Sequence, residues 1–107
     1  MKIIRNNIIP FSGYKAINLF GLLFVRKNAV LSPQLINHEE IHTAQMREML
    51  YIFFYIWYVL EWLIRLICYW NNDLAYHNVG FEKEAFIQQG DTDYLKSRKL
   101  FAWISYI

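Results

Sequence analysis

Glycine and proline are scarce in this chain, four and two copies among 107 residues, and neither occurs between positions 34 and 79. Without those breakers, that whole stretch is permitted to be helical. A lone cysteine, Cys68, excludes an intrachain disulfide; lying in an apolar run, it reads as a core residue and fits a reducing compartment. No charge predominates. Eleven basic residues face nine acidic ones, and the basic ones are scattered apart from Lys96, Arg98 and Lys99, so nothing points to nucleic acid. Lys2 and Arg5 are not followed by a sustained apolar segment ending in small residues; no cleavable signal peptide is expected, and the protein is predicted to start in the cytoplasm. There is no internal repeat, no nucleotide-binding glycine loop and no nucleophile–His–acid arrangement.

What the chain has in excess is apolar and aromatic surface: 56% hydrophobic and 19% aromatic residues, heavy for a small soluble protein. Its length predicts one domain, residues 1–107, with a single modest core. Residues 2–9 are short and rich in β-branched side chains, stop at Pro10 and the Ser12-Gly13 turn signal, and read as an edge strand or extended arm. Two further apolar runs, 15–20 and 22–26, flank Gly21 and predict a bent strand or tight hairpin.

Only three histidines are present, and two of them fall in one motif, His38-Glu39-Glu40-Ile41-His42. Residues four apart stack on one helix face, so His38 and His42 can direct two imidazole nitrogens at the same ion. Glu39 lies close to that face but is displaced from it, which suits a general base acting on water polarised by the metal. Two neutral imidazoles, a carboxylate and an open position make a catalytic zinc site, so zinc is the expected cofactor. Ser32 and Pro33 mark the start of the helix, and Leu35, Ile36, Ile41, Ala44 and Met49 are spaced for its buried face.

Residues 49–70 have the length of a transmembrane span, but Glu61 and Arg65 stand near the middle and oppose a simple lipid-facing helix. A spanning helix, an interfacial one and a packed aromatic core all stay open. One straight helix from His42 to Trp70 would run roughly 42 Å. The twelve residues on to Glu82 return at most about 40 Å. A single-chain site using both His42 and Glu82 therefore requires a break, expected between Arg47 and Glu61 and giving a helical hairpin; the alternative is a ligand from a second subunit of an oligomer.

Asn71-Asn72-Asp73 reads as a turn and helix start, 73–78 as a short helical or irregular link, and 81–90 as a short helix closed by Gly90. Glu82 and Glu84 are about 200° apart on that helix, so only one can face the metal. Glu82, which shares its face with Ala85 and Phe86, is the expected third ligand and Glu84 the runner-up; an exposed acidic first turn is the bland alternative. Tyr76 and His77 are candidate donors to a developing oxyanion, and Gln45 a candidate support for the ligands. The tail, 91–107, reads as a last helix capped by Thr92 or Asp93, with Lys96, Arg98 and Lys99 on a solvated face or, alternatively, against anionic lipid.

The HExxH motif followed by Glu82-Lys83-Glu84-Ala85 resembles the gluzincin pattern, in a reduced version of the HtpX and CAAX prenyl protease type of metallopeptidase core. Phe86 stands where those families have Asp. The resemblance covers residues 32–89 and implies His38, His42 and Glu82 as zinc ligands and Glu39 as general base. The expected fold is α+β, mainly α: a minimal zincin-like domain with a short N-terminal β-hairpin or edge strands, the HExxH helix, an aromatic helical hairpin and C-terminal helices. The expected activity is zinc-dependent hydrolysis of a peptide or protein substrate. An edge strand within 16–26 would present that substrate, and the whole would work near a membrane surface. A non-catalytic binding or structural module on the same fold is the competing expectation, since 107 residues leave little wall for a cleft.

Overall fold

A computed structural model describes residues 1–8 and 15–107. The predicted end of the first strand at Pro10 and the Ser12-Gly13 turn lie outside the described residues. The fold is α+β and mainly α. Three strands, β1 (Lys2–Asn6), β2 (Ala16–Leu19) and β3 (Leu22–Arg26), form a sheet in the order β1-β3-β2, with β1 parallel and β2 antiparallel to β3. The runs flanking Gly21 thus form a tight hairpin. Its two turn residues, Phe20 (φ 54°) and Gly21 (φ 86°), both occupy the left-handed region that a two-residue hairpin requires. Strand β3 is paired on both sides, so of residues 16–26 only β2 keeps a free edge among the described residues.

Helix α1 (Pro33–Glu48) begins as its sequence predicts: the Ser32 side chain accepts from the Leu35 N–H at 3.1 Å, and Pro33 opens the first turn. Its buried face is not the apolar one expected. Ile41 and Met46 are buried, but so are Asn37, His38, His42, Thr43 and Gln45, whereas Leu35, Ile36, Ala44 and Met49 are only partly covered. A buried polar row survives only if hydrogen-bonded, and every one of those five side chains has a partner.

The helix breaks at Met49–Tyr51, inside the expected window. Leu50 (φ 52°) and Tyr51 (φ 62°) make the break with positive φ and without glycine, Tyr51 at the centre of a γ-turn in which Ile52 N–H donates to the Leu50 carbonyl, so no residue type signalled it. Helix α2 (Ile52–Tyr69) follows, then α3 (Asn72–Asn78) capped by the Asn71 side chain, then α4 (Gly80–Gln88). Phe54 of α2 stacks on Phe81 of α4 at 4.4 Å between ring centroids, and Phe81 packs on Trp103 at 4.5 Å. With Met46 and Val79 these three make the core.

Two expectations are corrected. Cys68 is exposed, because the side of α2 that carries it has no covering element among the described residues. The tail is not one helix: α5 spans only Tyr94–Ser97, and a 3-10 turn covers Ala102–Tyr106. Arg98, expected in solvent, is buried between these two. Its guanidinium bridges Glu48 of α1 (2.9 and 3.0 Å) and Glu84 of α4, fastening the tail to both helices.

Candidate metal centre

Helix α1 supplies two imidazoles one turn apart, and α4, packed against it, supplies a carboxylate. His38 Nε2 and His42 Nε2 lie 3.1 Å apart, and Glu82 Oε1 lies 3.1 Å from the first and 2.9 Å from the second. All three side chains are buried and come from one chain, so the cluster needs no second copy.

The surrounding hydrogen bonds decide which atoms face the centre. Gln45 Nε2 donates to the Phe81 carbonyl (3.0 Å) and to Glu84 Oε1 (2.9 Å), so its Oε1 is the end turned to His42 Nδ1, at 2.8 Å. An oxygen there requires Nδ1 to carry the hydrogen. Gln89 Oε1 stands in the same relation to His38 Nδ1, at 2.9 Å. Both Nε2 lone pairs and a carboxylate oxygen then converge on one point. Three acceptors this close repel unless a cation lies between them, and this buried His38/His42/Glu82 group can hold a metal ion. The competing cation is a proton. Burial draws the His42 pKa down, but the Glu82 carboxylate outweighs it and, without metal, carries it up to about 9. Burial pushes Glu82 the other way, yet His42 and the bonds from His38, His42 and Tyr58 hold it far below the usual carboxylate range.

Glu39 does not join the cluster. With His42 and Glu82 it lines a cleft of about 270 Å³ whose other walls include Asn18 and Leu19 of β2, Phe54, Tyr55 and Tyr58 of α2, and Tyr76 of α3. Burial raises its carboxyl above the ordinary value against the pull of His42 and His38. The cleft wall is fixed by Asn18, whose Nδ2 donates to the Glu39 carbonyl and to Thr43 Oγ1, both at 3.0 Å, while its Oδ1 accepts from the Gly21 N–H at 3.1 Å. One amide thus locks the hairpin to the helix that carries the motif.

The candidates at the second carboxylate helix separate. Glu84 is on the far side of α4, bound to Arg98, Tyr94 and Gln45, and takes no part in the cluster. Tyr76 lines the cleft, and burial and the nearby Glu82 keep its phenol protonated well above the ordinary range. His77 is outside the cleft, half-exposed, with Nδ1 on the Asp73 carbonyl at 2.8 Å and its ring stacked on Phe86.

Three contributors carried weak signals or none. Tyr58 donates to Glu82 Oε2 at 2.7 Å, holding the carboxylate by its second oxygen, and nothing distinguishes it within an aromatic run. Asn18 was detectable as the one polar residue of β2. Glu61 is buried, and both its oxygens accept the Gly80 N–H at 3.1 Å, at the first residue of α4. Its charge meets the positive end of the helix that presents Glu82. Space at Gly80 is tight: a Cβ there would lie 3.0 Å from the Ile107 side chain and 3.4 Å from Glu61 Oε1, so these neighbours would have to give by a few tenths of an ångström.

Compared with protein-family models, curated proteins and solved structures, the chain matches none.

Proposed function

We propose that this protein is a zinc-dependent peptidase. The observation that carries the reading is the convergence of His38 Nε2, His42 Nε2 and Glu82 Oε1 within 3.1 Å, with His42 and Glu82 lining a cleft that also holds Glu39. Ligand atoms 2.0–2.1 Å from a tetrahedral zinc stand about 3.3 Å from one another. The three atoms are within a few tenths of an ångström of that spacing, and a His₂Glu set leaves a fourth position open.

Bound there, zinc supplies Lewis-acid activation of water and of the carbonyl that water attacks. The chain's own residues do the rest. Glu39 accepts a proton from the attacking water and returns it to the departing amine; a carboxyl raised by burial is better matched to that exchange near neutral pH. Tyr76, protonated and facing the cleft, is the donor for negative charge growing on the substrate oxygen. Tyr58 and Gln45 act through the ligands they hold.

Substrate is positioned by β2. Arg26 N–H donates to the Lys15 carbonyl, so the hydrogen-bonded pairs that follow are Ile17 with Phe24 and Leu19 with Leu22. The N–H and C=O groups of Ala16 and Asn18 therefore point to the open edge, where an extended peptide can add as a further strand by displacing the Tyr55 hydroxyl, which donates to the Asn18 carbonyl at 3.5 Å.

The test is metal content by elemental mass spectrometry, followed by turnover of a peptide library. About one zinc per chain, lost in His42→Ala, and turnover abolished in a metal-loaded Glu39→Gln variant are the expected results. A protein that takes up no zinc refutes the reading. One that binds zinc but behaves identically with Gln at position 39 is instead a binding module on this fold.

A further inference from the structure

Helix α2 has two sides of opposite character. Its inner side carries Phe54, Tyr58 and Glu61, and the only other charge in the helix, Arg65, turns back to pair with Glu61 at 3.4 Å. Its outer side is a continuous stripe in which Ile52, Phe53, Ile56, Leu60, Ile64 and Ile67 are each 50–70% exposed. At on the order of 200 Å² per side chain, these six alone expose about 700 Å², more than the largest apolar patch of an ordinary monomer.

The chemistry of the stripe selects its occupant. A protein interface of this size carries about one hydrogen bond per 100–200 Å², with polar groups around its rim. These six side chains offer no donor and no acceptor, and beyond the first turn, where the N–H groups of Ile52 and Phe53 precede the helical ladder, the backbone beneath them is bonded within the helix. Hydrocarbon is the neighbour that asks for neither. At about 1.5 Å per residue, the 18-residue helix presents roughly 27 Å of such surface. It ends at Tyr69 and Trp70, 41% and 90% exposed, residue types that settle at the lipid–water boundary. Asp73 follows within three residues with its carboxylate 85% exposed, and polar α3 lies beside α2, so the helix is placed along the boundary and not through it.

We propose that α2 lies in the plane of a lipid leaflet with this stripe immersed among the acyl chains, which makes the protein monotopic. Tyr55 and Tyr58 of the same helix line the cleft, so the helix that lies on the leaflet also walls the cleft from its other side. The proposal does not depend on the metal or on catalysis.

The experiment is flotation of the purified full chain with vesicles of phosphatidylcholine, alone and mixed with phosphatidylglycerol. Cys68, exposed on α2 and the chain's only cysteine, carries a polarity-sensitive fluorophore as a second readout. Binding to both vesicle types with a blue shift at Cys68 is expected. A Leu60→Glu/Ile64→Glu variant should lose at least tenfold in partitioning, while Val30→Glu, at a still more exposed position remote from α2 in sequence, keeps it. Circular dichroism checks that both variants remain folded. Four results overturn the proposal: no binding to either vesicle; binding only to anionic vesicles that the α2 variant leaves unchanged; a lipid-free dimer, seen by sedimentation, that the α2 variant dissolves; or resistance to alkaline extraction, which marks a spanning helix.

Discussion

Replacing Gln45 tests the centre while leaving all three ligands in place. Gln45 is fully buried, and its amide is used at both ends: Oε1 accepts from His42 Nδ1, and Nε2 donates to the Phe81 carbonyl and Glu84. Gln45→Leu preserves bulk and deletes the acceptor. The freed His42 N–H is buried, and an unsatisfied buried donor costs about 1–3 kcal/mol. With its ring orientation and tautomer no longer fixed, zinc affinity should fall about 10–100-fold, equivalent to about 1.4–2.7 kcal/mol. Gln45→Glu separates the two ends. Its carboxylate still accepts from His42, so affinity should stay within a few-fold, but its other oxygen now faces a carbonyl and the Glu84 carboxylate, so the metal-free fold should weaken. Competition against a chromogenic zinc chelator reads affinity, and urea unfolding with metal removed reads stability. Unchanged affinity in Gln45→Leu would refute the claim that this amide sets the His42 tautomer.

Further outcomes follow from the buried charges. Glu61→Gln leaves the N-terminus of α4 without its anion and Arg65 without its partner; the expected loss is about 1.5–3 kcal/mol in urea unfolding, whereas Arg65→Gln, at a side chain 26% exposed, should cost far less. Arg98→Met strands two buried carboxylates, Glu48 and Glu84, and should cost about 3–5 kcal/mol, largely restored by adding Glu84→Gln and Glu48→Gln. Burial raises Glu84, but bonds from Arg98, Tyr94 and Gln45 outweigh it and hold the carboxyl below its ordinary 4.5. Since its folded value lies below its unfolded one, its contribution is complete above pH 4.5 and is lost as pH falls through the folded value. The urea midpoint should therefore drop more steeply below pH 4.5 in the wild type than in Glu84→Gln.

Much of the site was legible because helical geometry is local. The spacing of His38 and His42 fixes a shared face, and the 200° between Glu82 and Glu84 allows only one to look toward it; the structure has Glu82 in the cluster and Glu84 at Arg98. The chain-length argument likewise required a break for a single-chain site, expected between Arg47 and Glu61, with a ligand from a second subunit as the alternative. Where the break falls was not legible, because Leu50 and Tyr51 adopt positive-φ backbone that their side chains do not advertise. The tail misled for a related reason. Lys96, Arg98 and Lys99 look alike in one dimension, yet Arg98 alone meets carboxylates from two other helices.

By itself, the sequence determined which groups could bind a metal and on which faces they stand, together with a bend or hairpin at Gly21 and the caps at Ser32 and Asn71, since each depends on residues within a few positions of one another. Only the tertiary structure decided that Glu82 meets the histidines, that Gln45 and Tyr58 hold them in place, and that Asn18 closes β2 over Glu39. It also decided that α2 turns its charges inward and its isoleucines outward. Those outcomes depend on contacts between segments remote in the chain, where burial makes an unpaired polar group costly and so favours arrangements that pair the polar groups around the site.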